Sequence, residues 1–242
     1  MRDYEWEATQ RVEFIREVIK SAGADGIVYG NSGGKDSALV GILCKMACDN
    51  TVGLIMPCGS KRSYEADRAD AEAIAKQFNI STFFVDLSEV GHQLNHAVGG
   101  ITKLSESASA NILPRIRMTT LYAVAASENR LVAGTDNRSE RYVGYFTKWG
   151  DGAFDFNPIA DLTVSEVYEF LRYFNAPDFI MSKAPSAGLF DGQTDEGDLG
   201  VTYRAIDEYL CTGKANQQDR AIIEKFHSAS EHKRKLPIMF GG

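Results

Sequence analysis

A chain of 242 residues that is 44% hydrophobic and 24% charged can bury one sizeable core, which excludes a disordered or fibrous protein. Its formal net charge of −7 excludes a surface built to grip the nucleic-acid backbone, so no nucleic-acid partner is expected. The N-terminal MRDYEWEATQ is charged throughout and no run of about 18 apolar residues occurs, so neither a secretion signal nor a membrane span is expected, and the predicted location is cytoplasmic.

Trp6, Val12, Ile15, Val18 and Ile19 recur at helical spacing within 4–22, and GIVYG at 26–30 reads as a short apolar strand. The glycine-rich GNSGGKDS at 30–37 follows, then a helical stretch from Ser37 to about Cys48, the strand TVGLIM at 51–56 and a helix over 64–78. TFFVD at 82–86 is a third predicted strand. A helix from about Asn111 to Ser127, with Pro114 tolerated in its first turn, leads into a fourth strand, LVAGT at 131–135. Beyond it come a glycine-containing stretch over 136–157, a helix opening at Thr163 whose Glu166 completes a capping box, a polar loop over 184–198 and a charged helical segment over 201–236. The two loops are predicted lids. Strands alternating with helices predict an α/β protein of one domain, 1–242, with a parallel sheet covered by helices on both faces. Its ligand site is expected beyond the strand carboxyl ends, just after Gly30, Met56, Asp86 and Thr135.

The chemistry starts at the glycine-rich turn. Between a strand and a helix, Gly30, Asn31, Ser32, Gly33, Gly34, Lys35, Asp36 and Ser37 offer free backbone N–H groups at the positive end of a helix dipole, where a phosphate anion is held. Asp36 separates Lys35 from Ser37, so this is not the Walker pattern, and no GxGxxG is present. Ser-Gly-Gly-x-Asp-Ser resembles the loop of the ATP pyrophosphatase family, which implies a grip on the β,γ-pyrophosphate of ATP. Asp36 at a helix start would repel pyrophosphate without a divalent cation between them, so it reads as a magnesium ligand, with a plain helix cap as the alternative. Cys44, Cys48, Cys58 and Cys211 form no CxxC pair and have no nearby histidines, so they read as idle thiols rather than a zinc site.

A second signal is LVAGTDNRSERYVGYFTKWGDGAFDFNPIADLT at 131–163, which resembles the GTDN-x-SE turn, FTK-x-GDG loop and PIADLT helix start of bacterial NAD synthetases. The resemblance continues through KAPSAGLFDGQTDEGDLG at 183–200 and EHKRKLP at 231–237. It implies the Rossmann-like fold of the adenine nucleotide alpha hydrolases. It also implies that Thr135 and Ser186 contact ATP, that Glu140 joins Asp36 at magnesium, and that Arg115, Lys148, Asp155, His232 and Lys233 bind deamido-NAD, with Asp36 and Lys148 catalytic. The implied ligase reaction makes an acyl-adenylate from deamido-NAD and ATP, which ammonia converts to NAD, and a homodimer is part of the same expectation. Glutamine-dependent relatives carry an amidohydrolase domain with a catalytic cysteine; the phosphate loop here begins thirty residues in, so ammonia is the expected nitrogen donor.

One position departs from the family pattern. Val164 stands where a lysine usually helps bind ATP, and Lys35 or Lys183 could replace the lost charge. The rival readings are another ATP pyrophosphatase, such as a GMP synthetase core or a tRNA-modifying enzyme, and a non-catalytic nucleotide-binding protein on the same fold.

Overall fold

A computed structural model describes residues 2–58, 65–183, 185–186 and 194–241. Of the expected lid over 184–198, residues 184 and 187–193 therefore lie outside the described residues, as does residue 64 of the helix expected over 64–78. In chain order the first half consists of α1 (Tyr4–Ala22), β1 (Gly26–Gly30), α2 (Lys35–Ala47), β2 (Thr51–Ile55), α3 (Ala66–Gln77), β3 (Ser81–Phe84), α4 (Ser88–Gly99), α5 (Glu106–Ala110) and α6 (Ile112–Ser127). The second half runs through β4 (Arg130–Ala133), α7 (Arg138–Val143), α8 (Val164–Tyr173), α9 (Asp178–Ser182), α10 (Asp195–Leu199), α11 (Tyr203–Thr212), α12 (Gln217–Ala229) and α13 (Glu231–Arg234).

All strand pairings are parallel and the sheet order is β3-β2-β1-β4. The chain moves outward from β1 through β2 to β3, then crosses to the opposite flank of β1. A topological switch point therefore lies between β1 and β4, the place where an open parallel sheet leaves a crevice.

The central strand is apolar because both of its faces are covered. Ile27 and Tyr29 join Ile15 of α1, Leu39 and Leu43 of α2, and Val167 and Phe170 of α8 in one core. Val28 points the other way and packs, with Val52, Leu54 and Val132, against Ile116 and Ala125 of α6. A third cluster, including Val143, Val164, Leu199, Tyr203, Ile206 and Ile223, fixes the C-terminal helices to α7 and α8. The expected α/β architecture with helices on both faces is the one observed. Among the described residues no helix is long and apolar enough to cross a membrane.

The capping box expected at Thr163 is present: the Glu166 amide donates to Thr163 Oγ1 at 3.3 Å, and the Thr163 amide donates to Glu166 Oε2 at 2.8 Å. It starts a helix that buries Val164, Val167, Phe170 and Leu171 along one stripe. Thr163→Ala is expected to lower stability by about 1 kcal/mol, read as a shifted urea midpoint with an unchanged slope.

Several segments differ from expectation, among them the loop expected over 184–198, whose described end carries α10 from Asp195. The helix α2 begins at Lys35, not Ser37, with Gly34 in extended conformation as its cap. No element is predicted over 87–110, yet α4 and α5 form there. Gly91 lies so close to Leu113 and Ile116 of α6 that a Cβ would touch both, so packing secures a glycine-interrupted helix of weak propensity. The stretch expected as a loop over 136–157 opens with α7, set by a second capping box between Asn137 and Glu140.

Candidate active site

A cavity of about 1170 Å³ opens at the switch point, beyond the carboxyl ends of β1, β2 and β4. Gly30, Asn31, Ser32, Gly34, Lys35, Asp36 and Ser37 line it, together with Thr135, Glu140, Ser186 and Lys233 from the expected set. Gly33 does not. Its φ of +71° turns the loop toward α3, and a Cβ there would overlap the backbone carbonyl of Asp67. Lys183 secures the same turn, donating to the Gly33 carbonyl at 3.2 Å and to Asp70 Oδ2 at 2.6 Å, with Asp67 Oδ1 at 2.8 Å. Gly33→Ala is expected to weaken ATP affinity roughly ten-fold by pushing the loop off α3, at an added left-handed backbone cost of about 1 kcal/mol. Calorimetric titration with ATP would measure the change, and unaltered affinity would show that the turn tolerates a side chain.

On the cavity floor the first turns of α2 and α7 meet. Asn137, fully buried, donates through Nδ2 to Asp36 Oδ1 at 3.0 Å, and its own Oδ1 accepts the Glu140 amide at 3.0 Å. The Asn137 amide donates to Glu140 Oε2 at 3.3 Å, closing the box. One asparagine therefore fixes both carboxylates that the sequence nominates for metal. Asp36 makes no side-chain cap to α2, so the plain-cap alternative does not describe it. Burial first and the Asp36 charge second push the Glu140 carboxyl up to about 8. Burial alone would push Lys35 down, but Asp36 and Glu140 beside it hold its ammonium above the ordinary lysine range. Asp136, also buried, is pushed well up by burial and then by Asp151; among the described residues its Oδ2 has no hydrogen-bond partner, and Arg141 pairs with it at 3.9 Å. A carboxylate-rich floor of this kind suits a hard cation, because carboxylate oxygens are its preferred donors.

Of the residues expected to bind deamido-NAD, Lys233 lines the cavity and Arg115, Lys148, Asp155 and His232 do not. Arg115 donates through Nε and Nη2 to the Lys148 carbonyl, each at 3.3 Å, and Lys148 Nζ donates to the His232 carbonyl at 2.7 Å. Lys233 Nζ donates to the carbonyls of Gly144 and Phe146 at 2.8 and 2.7 Å. Asp155 lies off the cavity lining: its Oδ2 accepts the Val132 amide of β4 at 2.7 Å, and its Oδ1 accepts the Tyr122 hydroxyl at 3.2 Å. Asn137, Asp136 and Arg117 belong to the cavity or its floor and were not expected there. The spacing of Asn137 three before Glu140 is the one signal that would have marked the first of them.

The NAD synthase family model matches residues 7–237. The NH(3)-dependent NAD(+) synthetase of Carboxydothermus hydrogenoformans is 44% identical over 238 residues, covering 97% of each chain. This chain belongs to the NAD synthase family. Among solved structures, the NMN synthetase from Francisella tularensis superposes with a TM-score of 0.94 at 35% identity over the whole of both chains. An NH3-dependent NAD synthetase from Campylobacter jejuni gives 0.81 at 28% identity, covering 99% of this chain and all of that one.

Against the NAD synthase pattern, the Val164 departure has a structural counterpart. Its side chain is buried in the third core cluster, and its amide donates to Ser139 Oγ at 3.4 Å, so this position presents no cation to the cavity. Lys35 and Lys183, the two candidates to replace that charge, both line the cavity and both are already held by carboxylates.

Proposed function

We propose that this NAD synthase uses ATP to amidate the nicotinate carboxylate of deamido-NAD with ammonia, releasing NAD, AMP and pyrophosphate in the last step of NAD biosynthesis. The observation that carries this reading is the cavity at the switch point, where a phosphate loop and the Asp36–Asn137–Glu140 unit share one floor. In the first step the substrate carboxylate attacks the α-phosphate of ATP and pyrophosphate leaves. The work of the protein there is alignment: loop amides and Ser37 hold the β,γ-phosphates, while Thr135 and Ser186 border the nucleotide. Magnesium, held by Asp36 and Glu140, would neutralise phosphate charge. In the second step ammonia attacks the acyl carbon and AMP departs. Arg115, Lys148, Asp155, His232 and Lys233 are assigned to deamido-NAD, and the cationic groups among them match a diphosphate. Lys148, whose Nζ donates to the His232 carbonyl in the free protein, would turn to supply positive charge to the reacting carboxylate.

In this reading residues 1–242 act as one catalytic domain, in the cytoplasm, as a homodimer, so light scattering should give twice the 26.6 kDa chain mass. The match over full length to an NMN synthetase favours one second reading, in which nicotinate mononucleotide replaces deamido-NAD as the acceptor. Both molecules carry the same nicotinate carboxylate. Purified protein with ATP, magnesium and ammonium, supplied with either acceptor in parallel, should release AMP and pyrophosphate faster with deamido-NAD. Release with the mononucleotide alone would establish the second reading, and release with neither would overturn both.

A further inference from the structure

The Lys35 ammonium stands where a cation bridging Asp36 and Glu140 would stand. Its Nζ is 2.6 Å from Asp36 Oδ2 and 3.3 Å from Glu140 Oε1. The other oxygen of each carboxylate is engaged by Asn137, through its side chain and its amide respectively. The two oxygens not bonded to Asn137 are thus the ones facing Lys35. The lysine stem is enclosed, with 6% of the side chain exposed, and the Tyr203 ring lies 5.6 Å from Nζ. Lys35 also lines the cavity, as do the other residues of the loop from Gly30 to Ser37 except Gly33.

An ammonium has three donors and no acceptor, and a hard divalent cation takes the same carboxylate oxygens, so the two compete for one place. The ammonium on Asp36 Oδ2 and Glu140 Oε1 also repels a second cation brought to the same oxygens, which weakens the hold of the pair on metal while Lys35 stays there. The geometry points to Lys35 as an internal cation that occupies the Asp36–Glu140 pair in the free protein and must swing out before a divalent cation binds there. This rests on the reading of Asp36 and Glu140 as the cation site. The flexible four-carbon stem permits the swing, and a polyphosphate above the loop offers the displaced ammonium a new anionic partner. Metal and nucleotide then favour one another's binding, while the free protein holds metal weakly.

The test uses Mn²⁺ as the probe on the full chain without nucleotide, with unbound Mn²⁺ counted by electron paramagnetic resonance. Lys35→Gln removes the competing charge and should bind Mn²⁺ at least about ten-fold more tightly than the unaltered protein. Lys35→Arg keeps the charge and should bind as weakly as the unaltered protein. Lys35→Gln also leaves two carboxylates facing each other, so its melting temperature should be lower without metal and rise more steeply as Mn²⁺ is added. Equal Mn²⁺ affinity in the unaltered and Lys35→Gln proteins would overturn the inference. So would an absence of binding in both, or a Lys35→Gln chain that neither folds nor recovers with Mn²⁺. The readout involves neither ATP nor deamido-NAD. A chain that binds Mn²⁺ as expected but amidates nothing would overturn the proposed function alone, whereas equal affinities beside intact amidation would overturn this inference alone.

Discussion

Asp36→Asn is expected to lower turnover at least ~100-fold and to blunt its dependence on magnesium, the usual scale for loss of one key electrostatic group. The replacement keeps the shape of the side chain, so its remaining oxygen can still accept the Asn137 amide hydrogen that holds Asp36 Oδ1 now. What disappears is the negative charge at the first turn of α2, directly under the phosphate loop. That charge makes no capping bond to the helix, whose cap is Gly34, and its favourable place at the helix dipole is worth only about 0.3–1 kcal/mol, so secondary structure should be unchanged by circular dichroism. The loss should fall on turnover at saturating magnesium rather than on folding. A mutant with near-normal turnover and an unchanged magnesium dependence would mean that Asp36 is only an ion-pair partner of Lys35.

The sheet and the phosphate loop were legible because their signals are local. GIVYG is uninterrupted and apolar, as a strand buried on both faces must be, and the capping box at Thr163 places its helix start to the residue. The segment over 88–110 was not legible, because its glycines carry no helical signal and what orders α4 is contact with Leu113 and Ile116 from a later helix. Within the site the same division holds. The loop residues and Glu140 can be nominated by motif, but the approach of Lys35 to Glu140 joins positions 105 apart in sequence and depends on the parallel pairing of β1 with β4. Asn137 could have been found from its spacing to Glu140, whereas the bond from the Val132 amide to Asp155 follows from an edge of the sheet that no local pattern reveals.

Ammonium salts are expected to support NAD formation by the purified chain, and glutamine alone is expected to support none. Releasing ammonia from glutamine takes a nucleophilic thiolate, and a thiol supplies one only where its surroundings pull the pKa down. The opposite holds for two of the four cysteines. Cys44 is fully buried in the core against α1 and α8, and burial pushes its thiol far up. Cys58 is 7% exposed and is also pushed up by burial, with Arg117 offsetting only part of the effect, and its Sγ faces the Met56 carbonyl at 3.8 Å. Cys48 follows α2 half-buried, and Cys211 is exposed in the last turn of α11. Neither lines the cavity where the acyl group would wait. Because the attacking species is neutral NH₃, the rate at fixed total ammonium should climb with pH as the free base grows, until the protein itself loses activity. Cys58→Ala should keep the ammonium-dependent rate, since the thiol contributes packing and no chemistry. Synthesis from glutamine at a rate matching ammonium, with no second protein added, would assign the nitrogen chemistry to this chain and overturn the ammonia-dependent reading, and abolition of that rate by Cys58→Ala would name the nucleophile.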